Sequence, residues 1–416
     1  MRATSISLDD VADASEGQTL AALGALLDGS RLAPPDDFPD VVAAAGEKLG
    51  LGVVMYLADY QQRELIPWTP SHVPAGLRMG IDSTLAGRAF QTIEPVTGEH
   101  DGRSVLWLPL LDGAERLGVL DLSSTDGVDV GTDAFRERCR WFASLVGHLV
   151  VVVGTYGDGL DHVRRVTPRT IAAELLWQLL PPTTYGCEGF TVSALLEPSR
   201  EVAGDAFDYA VSGRVAHLNI FDGAGHDMSS GVIASVALAA CRNARRNGGT
   251  LYDAVRSVDS LIASELGLER FATGVFAQLD LDSGRLRYVV AGHPEPLIVR
   301  EGKVVKTLAD GRRPLLGLDT AELTVAEEQL EAGDWLVLHT DGVTEARFPG
   351  TRELFGIHRL VDTLEREAAS GHTAPEVLRR VLRAVLEHQN GDLQDDATLL
   401  IAQWGIGSKD QFDPTV

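Results

Sequence analysis

Apolar residues that alternate with polar ones mark strands, and apolar residues spaced three and four apart mark helices. From residue 38 to about 155 the two patterns interleave. DVVAAAGEKLG reads as a helix, VVMYLAD and ELIPW as strands, and STLAGRAFQT as a short helix. The strands SVLWLPLLD and ERLGVLDLSS follow, and another helix opens near Thr132. That order predicts one compact α+β domain. The most apolar stretch, WFASLVGHLVVVVGTY at 141–156, is short for a membrane span and holds His148 and two glycines. It therefore predicts a buried helix.

Residues 156–182 read as a helical connector. Thr167 is the expected N-cap, with Pro168 in the first helical position. Ile171, Leu175 and Leu179 recur at i, i+4 and i+8, Leu176 and Leu180 widen the stripe, and Pro181-Pro182 stops it. A stripe placed between two domains predicts packing on another helix, and a homodimer is the expected assembly. Beyond it lie the strand patterns GFTVSALLE, VAHLNIF, FATGVFAQLDL, GRLRYVVAG, PLIVRE, DWLVLHT and ATLLIAQW. Helical stretches fall at 230–246, 251–265, 357–369 and 375–389. Strands without regular strand–helix alternation predict antiparallel sheets flanked by helices. The expected division is an N-terminal segment 1–37, a domain 38–155, the connector 156–182, a domain 183–405 and a tail 406–416.

Charge narrows the function. A net charge of −24 argues against a nucleic-acid partner, which needs a basic surface. The three cysteines show no metal-ligand or redox-motif spacing, which suggests a reducing compartment. MRATSISLDDVADASEG has no apolar signal-peptide core, so a cytoplasmic protein without membrane attachment is expected.

Four acidic positions share one pattern. Asp205 follows Gly204. Asp222 ends a strand and precedes Gly223, and Asp341 ends a strand and precedes Gly342. Asp395 and Asp396 open the last strand. Carboxylates at strand ends beside glycines suit a hard divalent cation, which prefers oxygen ligands and takes backbone carbonyls where carboxylates run out. Gly223, lacking Cβ, is a candidate to turn its carbonyl toward an ion. Two other signals fail. DLDSG at 280–284 starts like a calcium loop but has Ala291 where the twelfth-position glutamate belongs, so it reads as a hairpin turn. No phosphate-loop motif occurs.

The motifs AGDAFD, FDGAGHDMSSG, AGHPEPLIV, HTDGVTEAR and DDATLLI, preceded by AAELLWQLLPP, resemble in order and spacing the SpoIIE-type members of the PPM metal-dependent serine/threonine phosphatases, over about 165–404. The resemblance implies a β-sandwich of two antiparallel sheets flanked by helices. It implies two Mn2+ or Mg2+ ions bridged by Asp222, with Asp341 and Asp395, or its neighbour Asp396, completing one site. Asp205 and the carbonyl of Gly223 would serve the second. The implied chemistry is attack of a metal-held hydroxide on a phosphoserine or phosphothreonine phosphorus, with Asp222 and Asp341 acting through that metal-bound water. Arg200 stands where a phosphate contact would serve, and reads equally as a solvated strand-end arginine. Ala203 and Asp227 occupy positions where the family usually has glycine; Asp227 is read as a helix cap, with tuning of the second metal site as the alternative. His226 and His293, both in glycine-rich turns, are read as ordering their loops rather than transferring protons. Thr340 and Glu345 are read as shaping the loop at Asp341.

Residues 38–155 resemble a GAF sensor domain, on GIDSTLAGRAFQTIEPV, SVLWLPLLD and ERLGVLDLSS. That implies an unknown small-molecule ligand or a dimerisation role; no cysteine or histidine is placed for a chromophore or haem. In the phosphatase family the helices after the metal loop, here about 230–246 and 251–265, are thought to switch the second metal site. A dimeric connector could bias that switch. The expected function is dephosphorylation of a STAS-type anti-sigma-factor antagonist in partner switching. The alternatives are a non-catalytic GAF-dimer scaffold with an inactive phosphatase-like domain, and a phosphatase acting on a small metabolite.

Overall fold

The computed structural model describes residues 8–405 apart from 75, 126, 128, 200–203, 226–227, 267–269 and 321–322. The chain divides into two units, one ending at Pro168 and the other beginning at Arg169.

The first unit runs α1 (Leu8–Ser30), α2 (Phe38–Glu47), β1 (Leu51–Ala58), β2 (Glu64–Trp68), β3 (Met79–Gly80), α3 (Leu85–Thr92), β4 (Val96–His100), β5 (Arg103–Asp112), β6 (Glu115–Ser124), α4 (Asp133–Gly154) and α5 (Gly159–Arg164). Its antiparallel sheet has the order β3-β2-β1-β6-β5-β4. Alternation sorts the side chains onto two faces. Val53, Met55, Leu57, Leu106, Leu108, Leu120 and Leu122 form one core with α1, α2 and α4. Tyr56, Val105, Trp107 and Val119 meet Ala86, Ala89 and Phe90 of α3 on the other face. The apolar stretch at 141–156 lies mostly in α4, capped by the Thr132 hydroxyl, which accepts from the Phe135 N–H. Among the described residues no helix is long and apolar enough to cross a membrane. α1, expected in a separate N-terminal segment, adds Ala22 and Leu26 to this core.

The second unit begins with α6 (Ile171–Trp177), so the stretch expected as a connector is shared between the units. Thr170, not Thr167, caps α6, accepting from the Ala173 N–H. The helix stops at Trp177, and its buried face is Ala172, Ala173 and Leu176. Ile171 and Leu175, expected on the packing stripe, are 74% and 44% exposed.

The strands then run β7 (Thr184–Cys187), β8 (Phe190–Glu197), β9 (Asp205–Ser212) and β10 (Val215–Gly223), followed by helices α7 (Met228–Arg246) and α8 (Leu251–Leu261). Next come β11 (Ala272–Asp280), β12 (Arg285–Ala291), β13 (Leu297–Arg300), β14 (Lys303–Thr307), β15 (Arg312–Arg313), β16 (Ala326–Gln329) and β17 (Trp335–His339). α9 (Asp341–Thr344), α10 (Gly356–Ala369), α11 (Ala374–His388) and β18 (Ala397–Trp404) close the unit. One sheet has the order β15-β12-β11-β10-β9, with β16 on β12, and the other β14-β13-β17-β18-β8-β7. Their inner faces share one core that includes Phe190, Phe207, Leu218, Ile220, Val275, Leu338 and Leu400. The outer face of the first sheet packs Phe221 and Phe276 against α7 and α8. The outer face of the second packs Val337, Leu399 and Ile401 against α10 and α11. The result is a β-sandwich with helices outside each sheet.

α7 is rich in small residues because it lies close on the sheet: Ser230, Gly231, Ala234, Ala237 and Ala240 are all buried. α8 starts at a capping box formed by Thr250 and Asp253. Farther along α8, Asp259 is fully buried and accepts from the backbone N–H groups of Gly317, Leu318 and Asp319 and from the Arg313 guanidinium.

Candidate active site

The pleat decides which polar residues enter the sandwich. On β10, Leu218 and Ile220 face inward, so Asp222 two residues on does too. The same parity carries Asp205 from Phe207, Thr273 from Val275, Thr340 from Leu338, and Thr398 and Asp396 from Leu400. The ladder confirms the row: Asp222 stands opposite Asp205 on β9 and opposite Thr273 on β11. A line of polar side chains therefore closes one end of an otherwise apolar sandwich.

The second sheet supports the first through hydroxyls. Thr340 and Thr398 each donate to Asp205 Oδ2 at 2.7 Å. The Thr398 N–H donates to Thr340 Oγ1 at 3.0 Å, tying the ends of β17 and β18 together. Asp396 is committed to the segment that leads into β9. Its Oδ1 accepts from the Ser199 N–H at 2.8 Å, and its Oδ2 from the N–H groups of Gly204 and Asp205 at 2.8 and 3.4 Å. Asp395 Oδ1 accepts the Asp396 N–H at 2.9 Å. Of the adjacent acids, Asp396 thus holds backbone, which leaves Asp395 the better candidate for an ion.

Burial leads the electrostatics, and like charges add to it at Asp222 and Asp205. Burial, then Asp341, Asp395 and Asp396, push Asp222 up to about 7, against the pull of a hydrogen bond from Thr273. Burial, Asp222 and Asp396 hold Asp205 well above the usual carboxylate range. Burial also raises Asp341 and Asp396, while backbone N–H groups oppose the rise. Carboxylates so placed lack only a cation to make ionisation favourable. All the donors are oxygens, the set that Mg2+ and Mn2+ prefer. Among the described residues no three such side chains are grouped tightly enough to close round an ion in this arrangement. A Mg2+-like ion does not demand that, because it keeps several waters and needs only one or two carboxylates.

Three glycines let these acids approach. A Cβ on Gly204 would stand 2.7 Å from the Gly223 carbonyl oxygen, one on Gly223 2.5 Å from the Ser230 carbonyl oxygen, and one on Gly342 1.9 Å from the Asp396 carbonyl oxygen. Gly223 lies within regular strand β10, where the Ser230 carbonyl leaves no room for a Cβ. Arg200, Ala203, His226 and Asp227 lie outside the described residues. His293, in the turn after β12, is buried, and its Nδ1 lies 2.6 Å from Thr273 Oγ1. Thr273 and Thr398 were missed by sequence reasoning, and inward parity on their strands was the signal that could have found them.

The charge cluster has a measurable consequence without metal. An unfolded aspartate loses its proton near pH 4, whereas folded Asp222 keeps its proton up to about 7. Between those values the folded state binds more protons, so its stability falls as pH rises. The buried histidines His217, His293 and His339, held down to about 4, 3 and 4, act in the opposite direction, but equally in a variant that retains them. With metal chelated, Asp222→Asn is expected to be more stable than the parent at pH 8, the gap closing toward pH 4. Urea midpoints across that range measure it.

Residues 212–405 match the sequence profile of the family described as Stage II sporulation protein E (SpoIIE), a span that includes Asp222, Asp341, Asp395 and Asp396. Protein IcfG of Synechocystis sp. is 28% identical over 274 residues, covering 59% of this chain but only 42% of IcfG. Phosphoserine phosphatase RsbU of Bacillus subtilis is 22% identical over 233 residues, covering 56% of this chain and 68% of RsbU. The crystal structure of the RsbU and RsbW domains of Rv1364c from Mycobacterium tuberculosis aligns with 28% identity and a TM-score of 0.46, over 52% of this chain and 62% of that one. The chain thus spans less than half of IcfG and about two thirds of RsbU. The C-terminal unit is thus similar in sequence to the SpoIIE family and to a relative named as a phosphoserine phosphatase.

Proposed function

We propose that the C-terminal unit is a divalent-metal-dependent phosphatase of phosphoserine and phosphothreonine on a protein. The observation that carries this reading is the row of carboxylates around Asp222, in which Asp205 and Asp396 are buried, the charges act on one another, and the hydroxyls of Thr340 and Thr398 hold Asp205. Asp222, Asp341, Asp395, Asp205 and the Gly223 carbonyl would hold two Mn2+ or Mg2+ ions. When bound, the ions supply charge neutralisation at the phosphoryl group and an activated water. The chain's own contribution is to fix the acids: the threonines orient Asp205, Asp396 clamps the backbone at 199 and 204–205, and the glycines bring the strand ends together. No side-chain nucleophile is required. Arg200 is the proposed phosphate contact.

The natural substrate in this reading is a phosphorylated STAS-type antagonist of an anti-sigma factor, and the N-terminal unit is a GAF-like sensor. Support for the sensor comes from a sheet covered by α3 on one face and by α1, α2 and α4 on the other. A cluster of Tyr56, His100, Trp107 and Asp121, with His100 Nδ1 2.6 Å from Asp121 Oδ2, lies at the α3 face. Dimerisation is supported by the exposed Ile171 and Leu175. The tail of that segment is tied to α7: Arg242 donates to the Leu179 carbonyl at 2.7 Å and pairs, with Arg245, to buried Asp208. The double variant Ile171→Asp, Leu175→Asp is expected to sediment as a monomer, with stability within about 0.5 kcal/mol of the parent as for other exposed positions, and with lower turnover.

The decisive test of the function is phosphate release from a phosphoserine peptide by the full chain during Mn2+ titration, followed by capture of a phosphorylated STAS-domain protein on an inactive variant. Mn2+-dependent release with selective capture supports the reading. No release with Mn2+ or Mg2+ would move it to a non-catalytic scaffold.

A further inference from the structure

One chain of hydrogen bonds leads away from Asp222 into the interior and is not needed to bind any ion directly. Asp222 and Thr273 face each other across the β10–β11 ladder, which places the threonine hydroxyl to donate to the carboxylate. The same hydroxyl lies 2.6 Å from His293 Nδ1. His293 is 3% exposed, in the turn after β12, and its Nε2 is a buried atom without a hydrogen-bond partner. The preceding Gly292 has φ +61° and packs against Leu315 so closely that a Cβ would stand 2.4 Å from its side chain, which fixes the turn that delivers the imidazole.

Proton bookkeeping gives this chain a direction. An ionised carboxylate only accepts hydrogen bonds, and a hydroxyl has a single proton. With Asp222 ionised, the Thr273 proton must point to the carboxylate. The contact with His293 then requires a proton on Nδ1, donated to Thr273 Oγ1. A buried, neutral imidazole with its proton on Nδ1 is therefore the form that lets Thr273 serve an ionised Asp222.

We propose that His293 is a positioning residue for Asp222: acting through Thr273, it fixes the orientation of that carboxylate and so sets the divalent-ion affinity of the site. This rests on the functional reading above. Hydrogen-bond partners standing behind a metal-ligating group typically change metal affinity or activity by about 10–100-fold when lost.

The test reads Mn2+ affinity of the full chain by calorimetry without substrate, beside turnover and circular dichroism. Thr273→Val and His293→Leu are each expected to weaken Mn2+ binding about 10–100-fold, with KM for a phosphopeptide unchanged once Mn2+ saturates. His293→Asn, whose amide nitrogen takes the place of Nδ1 as a donor, is expected to recover affinity to within a few-fold, and Thr273→Ser likewise. Nitrogen-15 spectra of the Mg2+-saturated parent, in which Asp222 is ionised, should show His293 protonated on Nδ1. Folded His293→Leu and Thr273→Val proteins that bind Mn2+ like the parent would overturn the proposal, as would His293→Asn being as weak as His293→Leu. Asp222→Asn separates the two readings. If it abolishes Mn2+ binding while the Thr273 and His293 variants do not change it, the positioning role alone fails. If Asp222→Asn binds Mn2+ unchanged, the metal site itself fails.

Discussion

Asp222→Asn is expected to lose Mn2+-dependent phosphate release by at least ~10³-fold while keeping the fold. The acid stands in the middle of the row, between Asp205 and Thr273, and is coupled by charge to Asp341, Asp395 and Asp396. Metal catalysis of phosphoryl transfer supplies several kcal/mol of charge stabilisation, and about 1.36 kcal/mol corresponds to each tenfold in rate. Removing the acid that the proposed function assigns to both ions would forfeit that. The amide is isosteric, so packing at the sandwich end is conserved, and the metal-free variant gains stability at pH 8 as the charge cluster relaxes. Stability and activity therefore move in opposite directions, which a variant damaged by misfolding would not do. Single-turnover phosphate release with urea midpoints on the same preparations decides it.

Gly342→Ala is expected to damage both stability and catalysis. Its Cβ would stand 1.9 Å from the Asp396 carbonyl oxygen, and that neighbour is backbone rather than a side chain that can turn away. Either α9 or the segment entering β18 must shift by about an ångström. Forced overpacking of this kind costs about 1–3 kcal/mol. The two segments that must part carry Asp341 on one side and Asp395 and Asp396 on the other. A displacement of that size at reacting groups costs about 10²-fold, so Mn2+ affinity and turnover should fall together. Gly24→Ala, where a Cβ meets nothing within 4 Å, is the control and should leave turnover unchanged.

Periodicity made the central strands legible because they are buried. VAHLNIF and ATLLIAQW lie in β10 and β18, and the apolar stretch at 141–156 falls mostly in α4. Strands at the sheet margins were not legible. β14 and β16 are largely exposed, so no buried alternation announces them. At the connector, the face buried within the unit differs from the apolar stripe for another reason. Its leucine stripe has helical spacing, but Ala172 and Ala173 are small enough to let α6 lie close, and they took the buried face. The acids were visible at strand ends, whereas the hydroxyls that hold them were not. Threonine is common in strands, and only the register between β9, β10 and β11 makes Thr273 different from Thr191. The division of labour between Asp395 and Asp396 also needed three-dimensional structure, since it turns on which backbone N–H groups lie nearby.

Asp259 gives α8 a remote indicator. Its carboxylate shields the amide protons of Gly317, Leu318 and Asp319, residues distant in sequence from the helix. Those amides stay protected from solvent exchange only while α8 is docked. Three consecutive positions in one short loop therefore report, by their exchange rates, every excursion of a helix whose own amides are hidden within its turns.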